Sequence, residues 1–189
     1  MRSVISTIWR YKFIFLILLV LVGVWIFYQS QKGSKVTTKP PEQAVSYKSL
    51  TPGKSNLDQL EKEFGEPLET KEDGTKKTLD FQSSSKVRPN QAIVEDETVV
   101  FIKEIVTKTD EKSVKNITGV YGDPNFVLYD QSSPNSSFSL YVYPDRGLAF
   151  IGHPSGTLLE IWYFPPTTLD DFIQRWAPNY SQAKPKPIQ

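Results

Sequence analysis

The sequence predicts an α+β fold: an N-terminal transmembrane helix, then two tandem helix plus antiparallel-sheet repeats, closed by a C-terminal helix. Three observations lead to this prediction. An uncharged apolar run lies near the N-terminus, a short helical motif recurs along the rest of the chain, and segments with strand-like alternation follow the first two copies of the motif. The length of 189 residues allows one folded domain with appendages, or two small domains.

The composition narrows the classes of function. Hydrophobic residues make up 39% of the chain, which is enough for a folded core. A net charge of +1 provides no field that would attract nucleic acid, so we expect no nucleic-acid partner. With no cysteine, the chain has no disulfide, thiolate metal site, cysteine nucleophile or lipid-modified N-terminal cysteine. No cofactor or small-molecule substrate is evident.

The apolar run at residues 13–28 predicts a transmembrane signal anchor. At 1.5 Å per residue it covers about 24 Å, slightly less than the roughly 30 Å hydrocarbon core of a bilayer. The basic residues within 1–12 form a region that we expect in the cytoplasm. A cleaved signal peptide is the alternative, but no small-residue cleavage site follows the run.

The remaining chain is then expected on the far side of the membrane. Residues 29–44 have the polar, proline-containing composition of a linker, and residues 181–189 that of a disordered tail. Residues 45–180 form the predicted extracytoplasmic double-repeat domain. These features predict a single-pass protein of the cell membrane.

The double-repeat domain is defined by a recurring motif in which apolar residues at positions i, i+3 and i+7 form one stripe of a short helix. The first copy has Leu57, Leu60 and Phe64 before Gly65-Glu66-Pro67, and the second has Val114, Ile117 and Tyr121 before Gly122-Asp123-Pro124. The stripe appears a third time in the predicted closing helix, residues 168–176.

Capping signals bound these helices. Ser55 and Thr168 stand at N-terminal capping positions, each followed three residues later by aspartate. Gly65 and Gly122 fit the left-handed position that ends a helix. Strand-like alternation follows at 78–82, 99–105, 138–143 and 157–162. Each unit is therefore a helix followed by three or four antiparallel strands.

Unit one covers residues 45–108 and unit two residues 109–166. A single unit of this size would be marginally stable, so we expect the two to pack as one body. The predicted arrangement has the sheet on one side and the helices on the other.

The motif allows a comparison with a known family. The run Pro52-Gly53-Lys54-Ser55, followed by the first helical stripe and Gly65-Glu66-Pro67, resembles the BamE/SmpA-like module of envelope lipoproteins. Its tandem use resembles the β-lactamase inhibitor protein fold, and the similarity covers about residues 47–176. The resemblance implies a binding module without catalytic residues that grips its target through the exposed face of its sheet. The predicted spanning helix replaces the acylated cysteine of BamE-like proteins, which suggests anchoring in the inner or only membrane.

Three local patterns suggest chemistry, but each has a simpler interpretation. Gly53-Lys54-Ser55 resembles the end of a phosphate-binding loop, but Lys48 stands where that loop needs glycine, so we interpret the run as a helix cap. His153 is the only histidine, in a predicted turn without a serine elbow motif nearby. Residues 95–97, Glu-Asp-Glu, lack the spacing of a calcium loop and predict a solvated hairpin tip. We therefore assign no catalytic, cofactor or metal site.

Aromatic residues in unit two predict a partner-binding surface. If the strands keep regular alternation, Tyr141, Tyr143, Trp162 and Glu160 share the solvent-facing side of the sheet. Tyrosine and tryptophan beside a sparse acidic residue have the composition of an interface hot spot. The open alternative is that these aromatic side chains cover a second core, against unit one or the terminal helix.

The expected function is that of a membrane-anchored extracytoplasmic protein-binding module of the cell envelope. It is expected not to be an enzyme and to recognise a partner protein through the exposed sheet face. One alternative is an envelope enzyme that acts on wall polymer with paired carboxylates such as Glu104 and Glu160, which would need to lie about 5 to 10 Å apart in one pocket. The other is an inhibitor of a secreted hydrolase, which differs only in its partner.

Overall fold

The structure is a computed structural model, and it describes residues 44–186. The predicted n-region and transmembrane helix lie outside the described residues, as does almost all of the predicted linker. The same holds for residues 187–189 at the end of the predicted tail.

Three α-helices, two single-turn 3-10 helices (Lys108–Asp110 and Pro144–Arg146) and nine strands follow one another in the described chain. Each copy of the recurring motif forms a helix of eight residues, as the sequence predicts. The helices are α1 (Leu57–Phe64), α2 (Val114–Tyr121) and α3 (Leu169–Trp176). The strands are β1 (Glu69–Asp73), β2 (Lys76–Phe81), β3 (Asn90–Glu95), β4 (Thr98–Ile105), β5 (Phe126–Asp130), β6 (Ser139–Tyr143), β7 (Leu148–Gly152), β8 (Leu158–Tyr163) and β9 (Tyr180–Ser181).

The helix ends follow from local hydrogen bonding. Asn56, not the predicted Ser55, caps α1: its side chain accepts a bond from the Gln59 amide, and the Gln59 side chain accepts one from the Asn56 amide. Gly65 and Gly122 end α1 and α2 at φ values of 84° and 78°, a backbone region that favours glycine. The two repeats therefore begin with helices of the same length and the same kind of end.

All nine strands form one antiparallel sheet in the order β1-β2-β3-β4-β8-β7-β6-β5-β9. Each repeat supplies a four-stranded meander, and the last strand of the first meander pairs with the last strand of the second. In that pairing, Ile102 lies opposite Tyr163 and Glu104 lies opposite Ile161. The two repeats are thus halves of one continuous sheet.

The sheet has a core on each of its two faces. Leu60 of α1 and Ile117 of α2 pack with Ile161 and Tyr163 in one cluster, which marks what we call the first face. Phe172 of α3 packs with Trp162 in a separate cluster on the second face. Since neighbouring residues of a strand point to opposite faces, α3 lies on the other side of the sheet from α1 and α2. The prediction that all helices lie on one side is therefore wrong.

The predicted membrane architecture is also corrected. Among residues 44–186, no helix is both long enough and apolar enough to cross a bilayer. The described α-helices have eight residues each, about 12 Å at 1.5 Å per residue, whereas a spanning helix needs about 20 residues. This finding contradicts the fold with an N-terminal transmembrane helix. It equally contradicts the transmembrane, signal-anchor and single-pass interpretation and the cell-membrane localisation. The bounds 13–28 and a membrane partner for that segment stay predictions, because the segment lies outside the described residues.

The shared core predicts that the two repeats unfold together. Ile117→Ala should lower the free energy of unfolding by about 2–4 kcal/mol, because a fully packed aliphatic side chain is removed. Val120→Ala on the same helix should change it by less than about 0.5 kcal/mol, because Val120 is 73% exposed. Urea unfolding followed by circular dichroism and tryptophan fluorescence should give one coincident transition for both variants. Two separate transitions would show that the repeats fold independently.

Candidate functional site

The predicted partner-binding residues do not lie on one face. In the sheet, Tyr141 lies opposite Phe150, which lies opposite Ile161, so Tyr141 belongs to the first face. Trp162 lies opposite Ala149 on the second face. Tyr143 shares the face of Tyr141 and Glu160 that of Trp162, since alternate residues share a face. The prediction of a single patch fails because β7 lies between β6 and β8, and its pairing places Tyr141 in line with Ile161 rather than with Trp162.

Three of these four side chains are buried: Tyr143, Glu160 and Trp162. Trp162 packs edge-on against Phe101 and beside Phe172 of α3, as the second-core alternative expects. Tyr141 is half-buried and stacks on Phe150 at 4.9 Å between ring centroids.

Tyr143 has a structural role in the first face. Its hydroxyl donates a 2.6 Å hydrogen bond to the carbonyl of Gly122, the residue that ends α2. Burial raises the pKa of Tyr143 to about 12, with a further contribution from the negative charge of Asp123. The side chain therefore ties a helix end to the sheet.

The two carboxylates of the wall-enzyme alternative lie on opposite faces. Glu104 is on the first face, where it accepts hydrogen bonds from Lys112 at 2.6 Å and from the Tyr163 hydroxyl at 3.3 Å. Glu160 is on the second face. The two repeats are displaced along the sequence by the interval between the starts of α1 and α2. At that displacement the residue equivalent to Glu104 is Ile161, not Glu160. These carboxylates therefore cannot share one pocket as an acid and base pair.

The other sequence candidates hold local structure. His153 bonds through Nδ1 with the Ser155 hydroxyl at 2.6 Å, within a turn. In the tip at 95–97, Glu95 pairs with Arg175 and Glu97 pairs with Lys77. Gly53 adopts a φ of 82° and donates its amide to the Val99 carbonyl. Among residues 44–186, no cluster of acidic or histidine side chains is arranged to hold a metal ion.

The second face differs between the repeats. Over the second repeat, α3 covers it and the strands present buried residues such as Leu140, Val142 and Ala149. Over the first repeat, α3 reaches only the border: Trp176 stacks on Phe101, and Arg175 donates to Glu95 at 2.8 Å.

The area that no described helix covers, which we call the open face, consists of the second-face side chains of β1 to β3 together with Lys103 of β4. None of these side chains is buried. Strand pairing aligns these side chains in rows across the sheet. The row at the start of β1 consists of Glu69, Asp80, Gln91 and Lys103, and the next row contains Thr78 and Ile93. The members are Glu69, Lys71, Asp73, Lys76, Thr78, Asp80, Gln91, Ile93, Glu95 and Lys103.

A pocket of about 300 Å³ lies at one end of the open face. We call it the loop pocket, because the loop after β2 supplies most of its wall. Its lining residues are Leu68, Glu69, Asp80, Gln82, Ser83, Ser85, Lys86, Val87, Arg88 and Pro89. Serine hydroxyls hold the loop in shape: that of Ser83 donates to the Arg88 carbonyl, and that of Ser85 accepts from the amides of Val87 and Arg88.

A buried carboxylate fixes one side of the pocket. Glu160 accepts a hydrogen bond from the Arg88 guanidinium on one oxygen and from the Trp162 indole on the other, the latter at 2.7 Å. The Arg88 side chain remains 47% exposed and lines the pocket. A residue of the second repeat thereby orients a side chain of the first.

Positive charge at this end of the open face is only partly neutralised. Burial lowers the pKa of Lys103, the positive charge of Arg88 lowers it further, and Asp80 acts in the opposite direction. Within the described part of the chain, neither Lys103 nor Lys86 forms an ion pair. A negatively charged group can therefore bind near Lys86, Arg88 and Lys103.

The open face and the loop pocket could not be predicted from aromatic residues, because none of the residues that form them is aromatic. A signal was present: β2 alternates buried Leu79 and Phe81 with Thr78 and Asp80, whereas the second face of the other repeat is apolar. The second face is polar in the first repeat and apolar in the second, which indicates that only the second repeat needs a covering helix on that face.

The contact between Arg88 and Glu160 predicts a measurable stability difference. Arg88→Ala should lower the free energy of unfolding by about 1–3 kcal/mol, because it leaves a buried carboxylate with one partner fewer. The double variant with Arg88→Ala and Glu160→Gln should recover part of the lost unfolding free energy, because the buried side chain at position 160 then carries no charge. The matched control is Arg175→Ala, whose partner Glu95 is partly exposed; it should cost less than about 1 kcal/mol. Equal losses in urea unfolding for both arginine variants would contradict this role.

The raised pKa of Tyr143 predicts a loss of stability at alkaline pH. An unfolded tyrosine ionises near pH 10, whereas folded Tyr143 keeps its proton to about pH 12. Between these values the unfolded state binds fewer protons, so stability falls as pH rises. Tyr143→Phe should cost about 1 kcal/mol at neutral pH through the lost hydrogen bond and make the alkaline decline shallower. Parallel profiles of unfolding free energy from pH 7 to 12 would contradict the assignment.

No family model, curated protein or solved structure matches this chain. The resemblance to BamE/SmpA-like modules and to the β-lactamase inhibitor protein fold stays a prediction from the motif residues. The function is therefore inferred from the geometry of the open face and the loop pocket.

Proposed function

We propose that the chain is a non-enzymatic protein-binding module whose binding surface is the open face with the adjoining loop pocket. The observation that carries this proposal is the unequal cover of the sheet. Among residues 44–186, α1 and α2 pack on the first face of the sheet and α3 packs on the second face of the second repeat, whereas no described helix covers the second face of the first repeat.

The residues of the open face suit a protein partner. Half-buried Thr78 and Ile93 lie at its centre beside buried Phe101, and charged residues of both signs surround them. A less polar centre within a charged rim is the usual arrangement of protein interfaces. The mixed signs at the rim would select the orientation of a partner rather than attract any charged surface.

A protein partner would need a larger contact area than the strands of the open face provide. Four strands spaced about 4.8 Å apart and about six residues long form a floor of roughly 15 by 20 Å. This is less than the roughly 800 Å² that each partner buries in a standard interface. The pocket loop and the exposed side of α3 border the floor and supply the additional area.

The two alternative functions are affected differently by this geometry. The wall-polymer enzyme depended on Glu104 and Glu160, whose positions on opposite faces remove its proposed acid and base pair. An inhibitor of a secreted hydrolase would use the same open face, so it is a special case of the binding proposal.

Binding through the open face can be tested with peptides selected from a random phage-displayed library on the full chain. Thr78→Arg places a bulky charge at the centre of the face and should weaken binding of the selected peptides at least about tenfold, or about 1.4 kcal/mol. Thr157→Arg, at an exposed position of the other repeat, is the matched control and should leave affinity within about twofold. Calorimetry measures the affinity of the selected peptides for both variants. Peptides that tolerate Thr78→Arg, or a library that yields no binder, would refute the proposal.

A further inference from the structure

The loop pocket lies beside the start of the outermost strand of the sheet. Leu68 and Glu69 line the pocket, and β1 begins at Glu69. In the described sheet β1 pairs with β2 alone, so the main-chain N–H and C=O groups of its outer side are not taken by another strand. All five side chains of β1 are exposed. An extended segment of another protein can add to such an edge through main-chain hydrogen bonds.

The rim of the pocket is unusually apolar for an exposed site. Three large hydrophobic side chains are exposed among residues 44–186, and two of them line this pocket: Leu68 at 64% and Val87 at 87%. The third, Val120, lies on α2. Grouped exposed aliphatic side chains mark contact surfaces, whereas scattered ones do not. The rim is therefore suited to an aliphatic side chain of the partner.

The charges inside the pocket favour a carboxylate. The two acidic lining residues already have partners, since Asp80 accepts from Gln91 at 2.9 Å and Glu69 lies 3.3 Å from Lys71. Of the basic lining residues, Lys86 forms no ion pair in the described chain. Arg88 pairs with buried Glu160 through one guanidinium nitrogen and keeps 47% of its side chain exposed, so the rest of its guanidinium can still donate to a ligand. A guanidinium that is fixed beforehand loses little entropy when it binds a carboxylate.

We propose that the partner binds as an extended segment that adds antiparallel to β1 and places an aliphatic and an acidic side chain in the loop pocket. This inference rests on the proposed function and names its partner class. Antiparallel addition follows the pattern of the sheet, in which every strand pair is antiparallel. Because the pocket lies at the start of β1, the aliphatic and acidic residues follow the paired stretch of the partner segment.

A second copy of the chain is a poorer occupant of this edge. β1 carries Glu69, Glu72 and Asp73 against the single basic residue Lys71. Pairing two such strands would bring together two edges of the same net sign, and like charges opposite each other destabilise a strand pair. The edge therefore favours a different protein.

The test uses acetylated, amidated peptides of about nine residues, long enough to form a typical strand with a short extension. Each has a strand-forming stretch followed by leucine and aspartate, and a control peptide has lysine in place of the aspartate. The full chain should bind the aspartate peptide at least about tenfold more tightly in fluorescence anisotropy. Alternate amides of an edge-paired strand face its neighbour, so N-methylation of one alternating set should abolish binding and of the other set should not.

A charge reversal in the pocket tests the acidic side chain separately. Lys86→Glu should remove the preference for the aspartate peptide and favour the lysine peptide, whereas Lys115→Glu, at an exposed position on α2, should leave the preference unchanged. Lys86 is chosen because it is exposed and its side chain forms no hydrogen bond or ion pair in the described chain, so we expect the variant to fold.

The possible failures are distinguishable. Library-selected peptides that lose affinity with Thr78→Arg but tolerate both methylation patterns would overturn strand addition and leave the proposed function standing. Equal affinities for the aspartate and lysine peptides would overturn the acidic pocket, as would an unchanged preference in Lys86→Glu. Failure of the designed peptides to bind would also overturn the inference.

Discussion

The pairing of β4 with β8 is the constraint on which the rest of the structure depends. It joins the two meanders into one sheet and fixes, by its register, which side chains of both repeats share a face. Because the period of a strand is two residues, every assignment of a residue to a core or a surface follows from that register. The separation of Glu104 from Glu160 is one result, and the position of Trp162 beneath α3 is another.

The unequal cover of the second face follows from this arrangement. Two equivalent helices pack on the same face of the joined sheet, so a third helix is needed to protect the apolar second face of the second repeat. One helix of eight residues cannot cover both repeats. The first repeat instead carries polar side chains there, which makes the open face stable in water and leaves it accessible. Glu160 links the two regions, since it lies in the covered repeat and orients Arg88 at the edge of the uncovered one.

The local structure was largely predictable from the sequence, whereas the arrangement in space was not. The helices at Leu57, Val114 and Leu169 follow from apolar spacing and capping residues, both of which act within one or two turns. The face of each aromatic residue depends on pairing between β4, β7 and β8, which no local pattern specifies. The loop pocket combines β1, the loop after β2 and a carboxylate from β8, so its parts come together only in the folded sheet. Hydropathy alone also led to a membrane-spanning architecture that the described helices do not support.

The central position of β4 has a consequence for the synthesis of the chain. When β4 leaves the ribosome its partner β8 has not been made, and about fifty residues separate the two strands. At about 5–20 residues per second, this gives an interval of roughly 3–10 s during which a hydrophobic strand edge has no neighbour. During that time the nascent first repeat is vulnerable to aggregation with other incomplete chains, and chaperone binding would protect it at this stage rather than after release.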